Sequence, residues 1–159
     1  MGQYVANVQA TSNTTINTED VFIELTAPAS TTIKIKRVRV GFSDGTSTAG
    51  VDNHFRVKLL RYDTTTAGSS TAFTPIKRNQ NSPAAVATCK IKTGATALAL
   101  GTGTVTIIDL IAPNGRALYE WLARDDDDMI VTKAAGLFAV VIQSAVASQL
   151  FTASVDWVE

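Results

Sequence analysis

The sequence predicts an all-β protein, a jelly-roll-like antiparallel β-sandwich of about eight to ten strands. Three observations carry this prediction. Apolar and polar side chains alternate at period 2 in one short segment after another, turn-forming residues separate the segments, and no helical periodicity of useful length is found between them. Many short strands at such spacing are typical of a sandwich or a barrel.

Ten segments fit the strand pattern. In chain order they are Gln3–Gln9, Asp20–Ala27, Thr32–Ser43, Asn53–Tyr62, Val86–Lys92, Thr104–Ala112, Gly115–Ala123, Met129–Thr132, Leu137–Ser144 and Gln149–Val158. Between two of them, Pro113-Asn114-Gly115 predicts a tight hairpin, because Asn-Gly readily adopts the positive φ angles that such a turn requires.

The third segment contains an irregularity. Its apolar residues occupy odd positions up to Ile35 and even positions from Val38 onward, with Lys36 and Arg37 adjacent between them. A strand can change phase in this way only if it carries a β-bulge or crosses from one face to the other. We therefore expect one of these two features at Lys36-Arg37.

The phase along each segment predicts which side chains share a face. The predicted rows are Val21, Ile23 and Leu25; Phe55, Val57 and Leu59; Ala117, Tyr119 and Trp121; and Phe151, Ala153, Val155 and Trp157. Leu137–Ile142 is apolar on both faces. This predicts a strand that is central in its sheet or covered by a neighbouring subunit.

A chain of 159 residues is large enough for one domain with its own core. Residues 1–19 are expected to form a polar N-terminal arm that buries little surface of its own, and residues 20–159 the sandwich domain. The irregular stretch 63–85 is expected to be a long ordered loop that packs through Phe73 and Ile76, because loops of this length in compact domains are often functional.

Composition narrows the choice of partners. The net charge is +0 and charged residues make up 18% of the chain, whereas nucleic-acid-binding domains are normally basic. No apolar run approaches the roughly eighteen residues of a membrane span, and the first residues lack the basic and apolar regions of a signal peptide. We therefore expect no nucleic acid and no membrane as partner, and synthesis in a cytoplasm.

The sequence contains no motif of a catalytic or cofactor-binding site. Cys89 lies in an alternating segment as a small buried residue, and the single histidine, His54, stands in a different segment. The residue patterns of a serine hydrolase, a zinc site and a phosphate-binding glycine loop are all missing. The sequence therefore predicts no catalytic residue, no cofactor and no enzyme activity.

The run Asp125–Asp128 is the most conspicuous charge cluster. Four adjacent carboxylates offer oxygen ligands to Ca²⁺, but their spacing is not that of an EF-hand loop. On extended backbone, adjacent side chains also point apart. We expect a solvated hairpin tip and no metal site.

Other polar and aromatic residues on the strands have a simple structural interpretation. Carboxylates that a glycoside hydrolase could use are assigned by the alternation to polar sheet faces: Glu24, Asp109, Glu120 and Asp156. Aromatic residues that could form a sugar platform are in phase with the core rows instead: Tyr119, Trp121 and Trp157. One basic row is expected to form an exposed sheet face or an inter-subunit salt-bridge surface: Lys34, Lys36, Arg37 and Arg39.

Several stretches resemble a group of small structural proteins of tailed phages, the head decoration or cement proteins. The stretches are Lys36-Arg37-Val38-Arg39-Val40-Gly41-Phe42-Ser43-Asp44-Gly45, Phe55–Arg61, Thr71–Arg78, Asn114–Trp121 and Ser154–Glu159. The resemblance covers most of the chain from about Val21 onward. Its motifs belong to the scaffold and include no catalytic signature.

The resemblance implies a non-enzymatic virion protein with a jelly-roll-like fold. Such a protein would bind the major capsid protein on the outside of a phage head, bridge capsomers and assemble as a homotrimer. The alternative is a trimeric receptor- or carbohydrate-binding module of a tail fibre, which exposed aromatic residues in loops would favour.

The arm and the long loop are the segments expected to reach other subunits. A short N-terminal strand can add to the edge of a neighbour's sheet through backbone hydrogen bonds. The residues expected at a capsid or subunit interface are Tyr4, Val5, Val8, Ile16, Phe73, Ile76, Lys77 and Arg78.

Overall fold

A computed structural model shows two antiparallel β-sheets packed face to face. It describes residues 2–12, 15, 17–42, 55–62, 71–93, 105–111, 118–132, 135–145 and 147–159. The strands are β1 (Gln3–Thr11), β2 (Glu19–Thr26), β3 (Ile33–Phe42), β4 (Phe55–Tyr62), β5 (Thr71–Phe73), β6 (Ile76–Lys77), β7 (Thr88–Ile91), β8 (Val105–Ile111), β9 (Tyr119–Leu122), β10 (Ile130–Thr132), β11 (Leu137–Ser144) and β12 (Leu150–Val158).

The strand order is that of a jelly roll. The first sheet has the order β10-β3-β12-β1-β6, with β9 also paired to β3, and the second sheet has the order β5-β7-β2-β11-β4-β8. The first four strands alternate between the two sheets, and the last two strands, β11 and β12, lie at their centres. The predicted all-β sandwich is therefore confirmed.

Each of the ten predicted segments contains a strand, and two further strands were not expected. The short strands β5 and β6 lie within 63–85, which was expected to be irregular. β5 pairs with β7 at the edge of the second sheet, and β6 pairs with β1 at the edge of the first. The described part of this segment, from Thr71 onward, thus extends both sheets on the same side of the sandwich.

The core lies between the sheets and includes a cluster of phenylalanine rings. Phe151 from the first sheet packs against Phe22 and Phe55 from the second, with ring centroids 5.8 and 5.2 Å apart. Both pairs have the edge-on geometry that aromatic rings favour. The predicted inward row from Phe151 to Trp157 is confirmed, because all of its members are buried in this core.

The N-terminal segment is an integral strand, which corrects the expectation that it buries little surface. β1 pairs with β12 in unbroken register from Gln3 opposite Val158 to Thr11 opposite Leu150. Its inward residues belong to the core: Tyr4, Ala6, Val8 and Ala10. The reason is a period-2 alternation with Gln and Asn, in which two of the inward residues are small alanines.

A β-bulge on β3 explains the change of phase at Lys36. Asp156 pairs with Arg37 and Trp157 pairs with Ile35, so Lys36 is the extra residue. The backbone carbonyl of Lys36 accepts a hydrogen bond of 2.9 Å from the amide of Ala123. This confirms the first of the two features expected at this position.

A second bulge, on β2, makes one predicted row wrong. Val140 pairs with Ile23 and Val141 pairs with Val21, so Phe22 is the extra residue. Ile23 therefore faces the core, whereas Val21 lies on the opposite face of the sheet. The expected row of Val21 with Ile23 and Leu25 is interrupted because a bulge reverses the face of every residue beyond it.

β11 is central in the second sheet, as one of the two expectations for Leu137–Ile142 stated. Its alternate residues face the core, and the others join a second apolar cluster on the outer face of the sheet. The cluster consists of Val21, Leu60, Leu137, Ala139 and Val141, all buried within the single chain. This strand therefore gives no ground for a subunit interface.

A charged pair lies inside the sandwich beside β2. Lys92 Nζ donates a hydrogen bond to Asp20 Oδ2, and the two side chains are 0% and 1% exposed. The ammonium group also lies 5.7 Å from the centroid of the Phe22 ring, within the range of a cation–π contact. Burial of two charges is tolerated here because each is paired with the other.

Candidate functional site

The outer face of the first sheet, which points away from the second sheet, carries a row of side chains from five strands. Strand register places Ile76, Val5, Asp156, Arg37 and Leu122 side by side. The two ends of this cross-strand row are aliphatic, with Ile76 50% and Leu122 59% exposed. The centre is ionic, so the row presents apolar ends around a charged middle.

Asp156 binds two guanidinium groups at the centre of the row. Arg37 donates a hydrogen bond of 2.7 Å from Nε to Oδ2, and its Nη2 lies 2.6 Å from the same oxygen in an ion pair. Arg78 donates from Nε and Nη2 to Oδ1, at 3.1 and 2.5 Å. Each carboxylate oxygen is thus held by one arginine, and the shared carboxylate fixes the position of both guanidinium planes.

A cleft of about 350 Å³ opens beside Asp156 and its two arginines. It is lined by Gln3, Lys36, Arg37, Arg78, Leu122, Asp156 and Trp157. Three cations against one carboxylate leave an excess of two positive charges among these residues. The bulge on β3 contributes to this excess, because it brings the consecutive residues Lys36 and Arg37 into the lining of the same cleft.

Further aliphatic side chains extend the outer face beyond the cleft. Leu118 and Val131 are exposed, and between Leu118 and Leu122 the Glu120 carboxylate accepts a 2.6 Å hydrogen bond from Arg39 Nε. An exposed surface that mixes aliphatic side chains with arginines resembles the composition of protein–protein interfaces.

The segment 78–87, which begins at the cleft residue Arg78, is hydrogen-bonded to residues at the ends of β1 and β12. The Tyr4 hydroxyl donates to the carbonyl of Pro83 at 3.1 Å. The Glu159 carboxylate accepts a hydrogen bond of 2.8 Å from the amide of Val86. Burial, and secondarily the charge of Glu159, raises the pKa of Tyr4, so its hydroxyl remains a donor.

The predicted interface residues of the N-terminal segment are not on the surface. Tyr4 and Val8 are buried in the core, and Val5 is buried in the cross-strand row between Ile76 and Asp156. Contact with another chain through Tyr4 or Val8 would require the sandwich to open. Ile16 lies outside the described residues.

The predicted interface residues of the segment 63–85 are better placed. Ile76, Lys77 and Arg78 are exposed at the edge of the first sheet, and Phe73 is half-buried against the core. Ile76 and Arg78 reach the row and the cleft described above. The structure thus brings part of the predicted interface onto the outer face.

Sequence reasoning placed Lys36, Arg37 and Asp156 on sheet faces but did not predict that they line one site. The basic row on β3 lies on the outer face, where Arg39 is exposed and Lys34, Lys36 and Arg37 are half-buried. Two of its members form ion pairs within the chain, Arg37 with Asp156 and Arg39 with Glu120. The missing information was the strand register. The cross-strand partner of Arg37 cannot be read from the sequence until β3 and β12 are known to pair.

The acidic run Asp125–Asp128 is held by hydrogen bonds within itself. Asp125 Oδ1 accepts hydrogen bonds from the amides of Asp127 and Asp128, and this exposed run joins β9 to β10. It is not a hairpin tip, because both strands pair with β3. Within the described part of the chain, no group of three or more histidine, cysteine, aspartate or glutamate residues is placed to hold a metal ion.

The remaining candidate residues lie apart from the outer face or outside the described part. Burial raises the pKa of Glu24, which lies 3.8 Å from Lys90. Cys89 is buried, as predicted, and burial raises its pKa to about 12. His54, the side chain of Asp109 and the turn Pro113-Asn114-Gly115 lie outside the described residues.

The described aromatic residues belong mostly to the interior. Tyr119 and Trp157 are buried in the core and Trp121 packs against it, which confirms the prediction for these three residues.

Among the described residues, no helix is long and apolar enough to cross a membrane. No protein-family model, no curated protein and no solved structure matches this chain.

Proposed function

We propose that this chain is a non-enzymatic structural virion protein, a decoration protein that binds the outside of a tailed-phage head. It would bind the major capsid protein, bridge neighbouring capsomers and so stabilise the head. The resemblance of Lys36–Gly45 and the later stretches to such proteins supports the proposal, and the jelly-roll topology is the fold that the resemblance implies. The observation that carries the proposal is the open outer face of the first sheet.

The outer face has the chemistry of a contact surface. Exposed aliphatic side chains at Ile76, Leu118 and Leu122 surround an arginine–carboxylate centre that is already partly removed from water, since the Asp156 side chain is 12% exposed. Arginine is enriched among the residues that contribute most to protein–protein affinity, and these residues cluster near the centre of a contact patch. A sheet face with these side chains suits a docking contact.

Assembly into a homotrimer is part of the same proposal. It draws on the resemblance and on Ile76, which is exposed on the short edge strand β6. Sedimentation analysis should give a trimer at micromolar protein concentration. A monomer under these conditions contradicts this part of the proposal but leaves capsid binding open to its own test.

Binding to undecorated phage heads tests the function directly. Heads and protein are mixed and co-sedimented, and occupancy is measured for the wild type and for Leu122→Asp. We expect the variant to lose at least about tenfold in affinity, because it places an unpaired charge in the apolar rim of the contact.

Ile107→Asp is the matched control for this experiment. Ile107 is similarly exposed, at 54%, but it lies on β8, the edge strand of the second sheet. The control should bind heads as the wild type does. The proposal fails if the wild type does not bind heads, and the outer face is not the contact surface if both variants bind equally well.

The alternative, a receptor- or carbohydrate-binding module of a tail fibre, has less support on this surface. Sugar sites commonly use exposed aromatic rings, whereas the described aromatic side chains are buried or half-buried, for example Tyr119 and Trp121. Cryo-electron microscopy of the parent particle would separate the two functions by showing the protein on the head or on the tail.

A further inference from the structure

We infer that the cleft beside Arg37 and Arg78 binds a carboxylate side chain, an aspartate or glutamate of the partner protein. The inference rests on the proposed docking of the outer face and specifies which chemical group enters it. Three features carry it: the unused donor capacity of the two arginines, the charge excess of the cleft, and its apolar rim.

The donor capacity follows from how the arginines bind Asp156. A guanidinium group has five N–H donors in one plane. Asp156 engages Nε and Nη2 of both Arg37 and Arg78, so it does not engage Nη1 of either. The two guanidinium planes are therefore held in position while each keeps donors for a second acceptor, and carboxylates are well matched to such planar donors.

The charge excess favours an anion in the same place. Lys36, Arg37 and Arg78 line the cleft with Asp156 as the single carboxylate among its described charges. Asp156 relieves the repulsion between the two guanidinium groups but does not neutralise all three cations. A second carboxylate in the cleft would reduce the excess from two positive charges to one and replace water at the arginines with a charge-assisted hydrogen bond.

The rim indicates a protein side chain as the source of the carboxylate. Leu122 lines the cleft and is exposed beside the charges, so it can cover the methylene groups of an aspartate or glutamate. A nucleic-acid backbone would need cations repeated along its path. Along β3, Arg37 and Arg39 are each paired with a carboxylate of the same chain, and across the strands the row ends in the aliphatic residues Ile76 and Leu122.

Affinity for undecorated heads tests the inference through the variant Arg78→Gln. The substitution removes one cation and its guanidinium donors but leaves Asp156 paired with Arg37. We expect about tenfold weaker binding, the effect of losing one charge-assisted hydrogen bond, and a smaller decrease of affinity with added salt than in the wild type. Arg78→Lys keeps the charge without the planar donors, so its affinity should lie between those of the wild type and of Arg78→Gln.

Arg56→Gln is the matched control. Arg56 is exposed on β4 of the second sheet, so the substitution makes the same change in net charge away from the cleft. It should bind heads as the wild type does, and equal melting temperatures of all variants would show that each is folded. If Arg78→Gln binds as tightly as Arg56→Gln, the cleft does not receive a charged partner group and the inference is wrong.

A second arm separates failure of the inference from failure of the proposed function. A short glutamate peptide, the matching glutamine peptide and inorganic phosphate are titrated into the protein, and the side-chain Nε–H resonances of Arg37 and Arg78 are followed by NMR. Only the glutamate peptide should shift these resonances strongly. In Arg78→Gln the peptide should no longer shift the remaining resonance, that of Arg37.

The two arms have distinct outcomes. Peptide binding without head binding supports the carboxylate cleft and rejects decoration of these heads. Head binding that is unaffected by Arg78→Gln supports the docking function and rejects the cleft. Phosphate shifting the arginine resonances more strongly than the glutamate peptide overturns the assignment of a carboxylate ligand.

Discussion

The two sides of the sandwich use the same kinds of residues in opposite surroundings. At the second sheet, Leu60 on the outer face is 2% exposed, and the Lys92–Asp20 pair on the inner face is fully buried. On the outer face of the first sheet, Leu122 and the Arg78–Asp156 pair remain in contact with water. The comparison separates residues that hold the fold together from residues available to a partner.

The physical difference is how completely water has been removed. A group that is already buried lost its hydration when the chain folded, so it has no further hydration to lose when a partner binds. A half-exposed group still has hydration to lose, and losing it against a complementary surface contributes to affinity. Stability and binding should therefore respond to different substitutions in this protein.

The largest difference in stability is expected between variants of the Lys92–Asp20 pair and of the Arg78–Asp156 pair. Lys92→Met leaves Asp20 buried without its cation and should lower the free energy of unfolding by about 3 to 5 kcal/mol. Arg78→Gln removes a half-exposed partner of Asp156 and should lower it by less than about 1 kcal/mol. Urea unfolding measures both values.

The double variant Asp20→Leu with Lys92→Met is the control for the buried pair. It removes both charges and should recover part of the loss, because the cost of the single substitution comes from the orphaned carboxylate. Equal losses for Lys92→Met and Arg78→Gln would contradict the division between a closed and an open side.

Two leucines provide the apolar version of the same comparison. Leu60→Ala deletes buried methyl groups from the outer cluster of the second sheet and should cost about 2 to 4 kcal/mol of stability. Leu122→Ala deletes exposed ones and should change stability by less than about 0.5 kcal/mol. If Leu122→Ala is as destabilising as Leu60→Ala, the outer face of the first sheet is not open.

A pH dependence is expected from Glu24 on the closed side. Burial raises its pKa above the reference value of 4.5, and Lys90 lowers it by a smaller amount. The folded state therefore keeps this proton to higher pH than the unfolded state does. Its contribution to the free energy of unfolding is largest at acid pH and decreases as pH rises from 4.5 through the folded pKa.

Comparison with Glu24→Gln isolates this contribution. The melting temperature of the wild type relative to the variant should decrease between about pH 4 and about pH 7. A constant difference across this range would show that Glu24 titrates equally in the folded and unfolded states.

The smallest effect is expected for Cys89, where native protein should show no reaction at all. With its pKa raised to about 12 by burial, the thiol has neither the thiolate form nor the access that alkylating reagents require at about pH 8. Labelling with iodoacetamide, followed by mass spectrometry, should be complete only in denaturant. Rapid labelling of the native protein would place Cys89 on an accessible surface instead.

The sequence predicted much of the fold because most strands alternate cleanly. It also located the change of phase at Lys36-Arg37, because two adjacent charges made it visible, and left open whether a bulge or a crossing between faces causes it. The bulge at Phe22 left no such mark, because residues on both sides of it are apolar. The burial of β1 was underestimated because alanine is a weak sign of burial in a sequence. Ala6 and Ala10 lie in the core although their side chains are small and only weakly hydrophobic.

The candidate site was predictable only in part. Ile76 and Arg78 were expected at an interface, and Arg37 on a sheet face, but nothing in the local pattern pairs Arg37 and Arg78 with Asp156. That pairing is a property of strand order. The burial of Lys92 was equally hidden, because a lysine at the end of a strand normally reaches water and its partner Asp20 lies far away in the sequence.

The bulge at Lys36 has a consequence for how this strand tolerates changes in length. Without Lys36, the sequence from Ile33 to Val40 would alternate perfectly, with every aliphatic residue inward and every basic residue outward. Lys36 is therefore a one-residue insertion that the sheet accommodates as a bulge. The pairing with β12 shifts by one residue there and is regular on either side. Its deletion removes one cation from the cleft and leaves the pleat regular, so the charge of the site can be varied by chain length as well as by substitution.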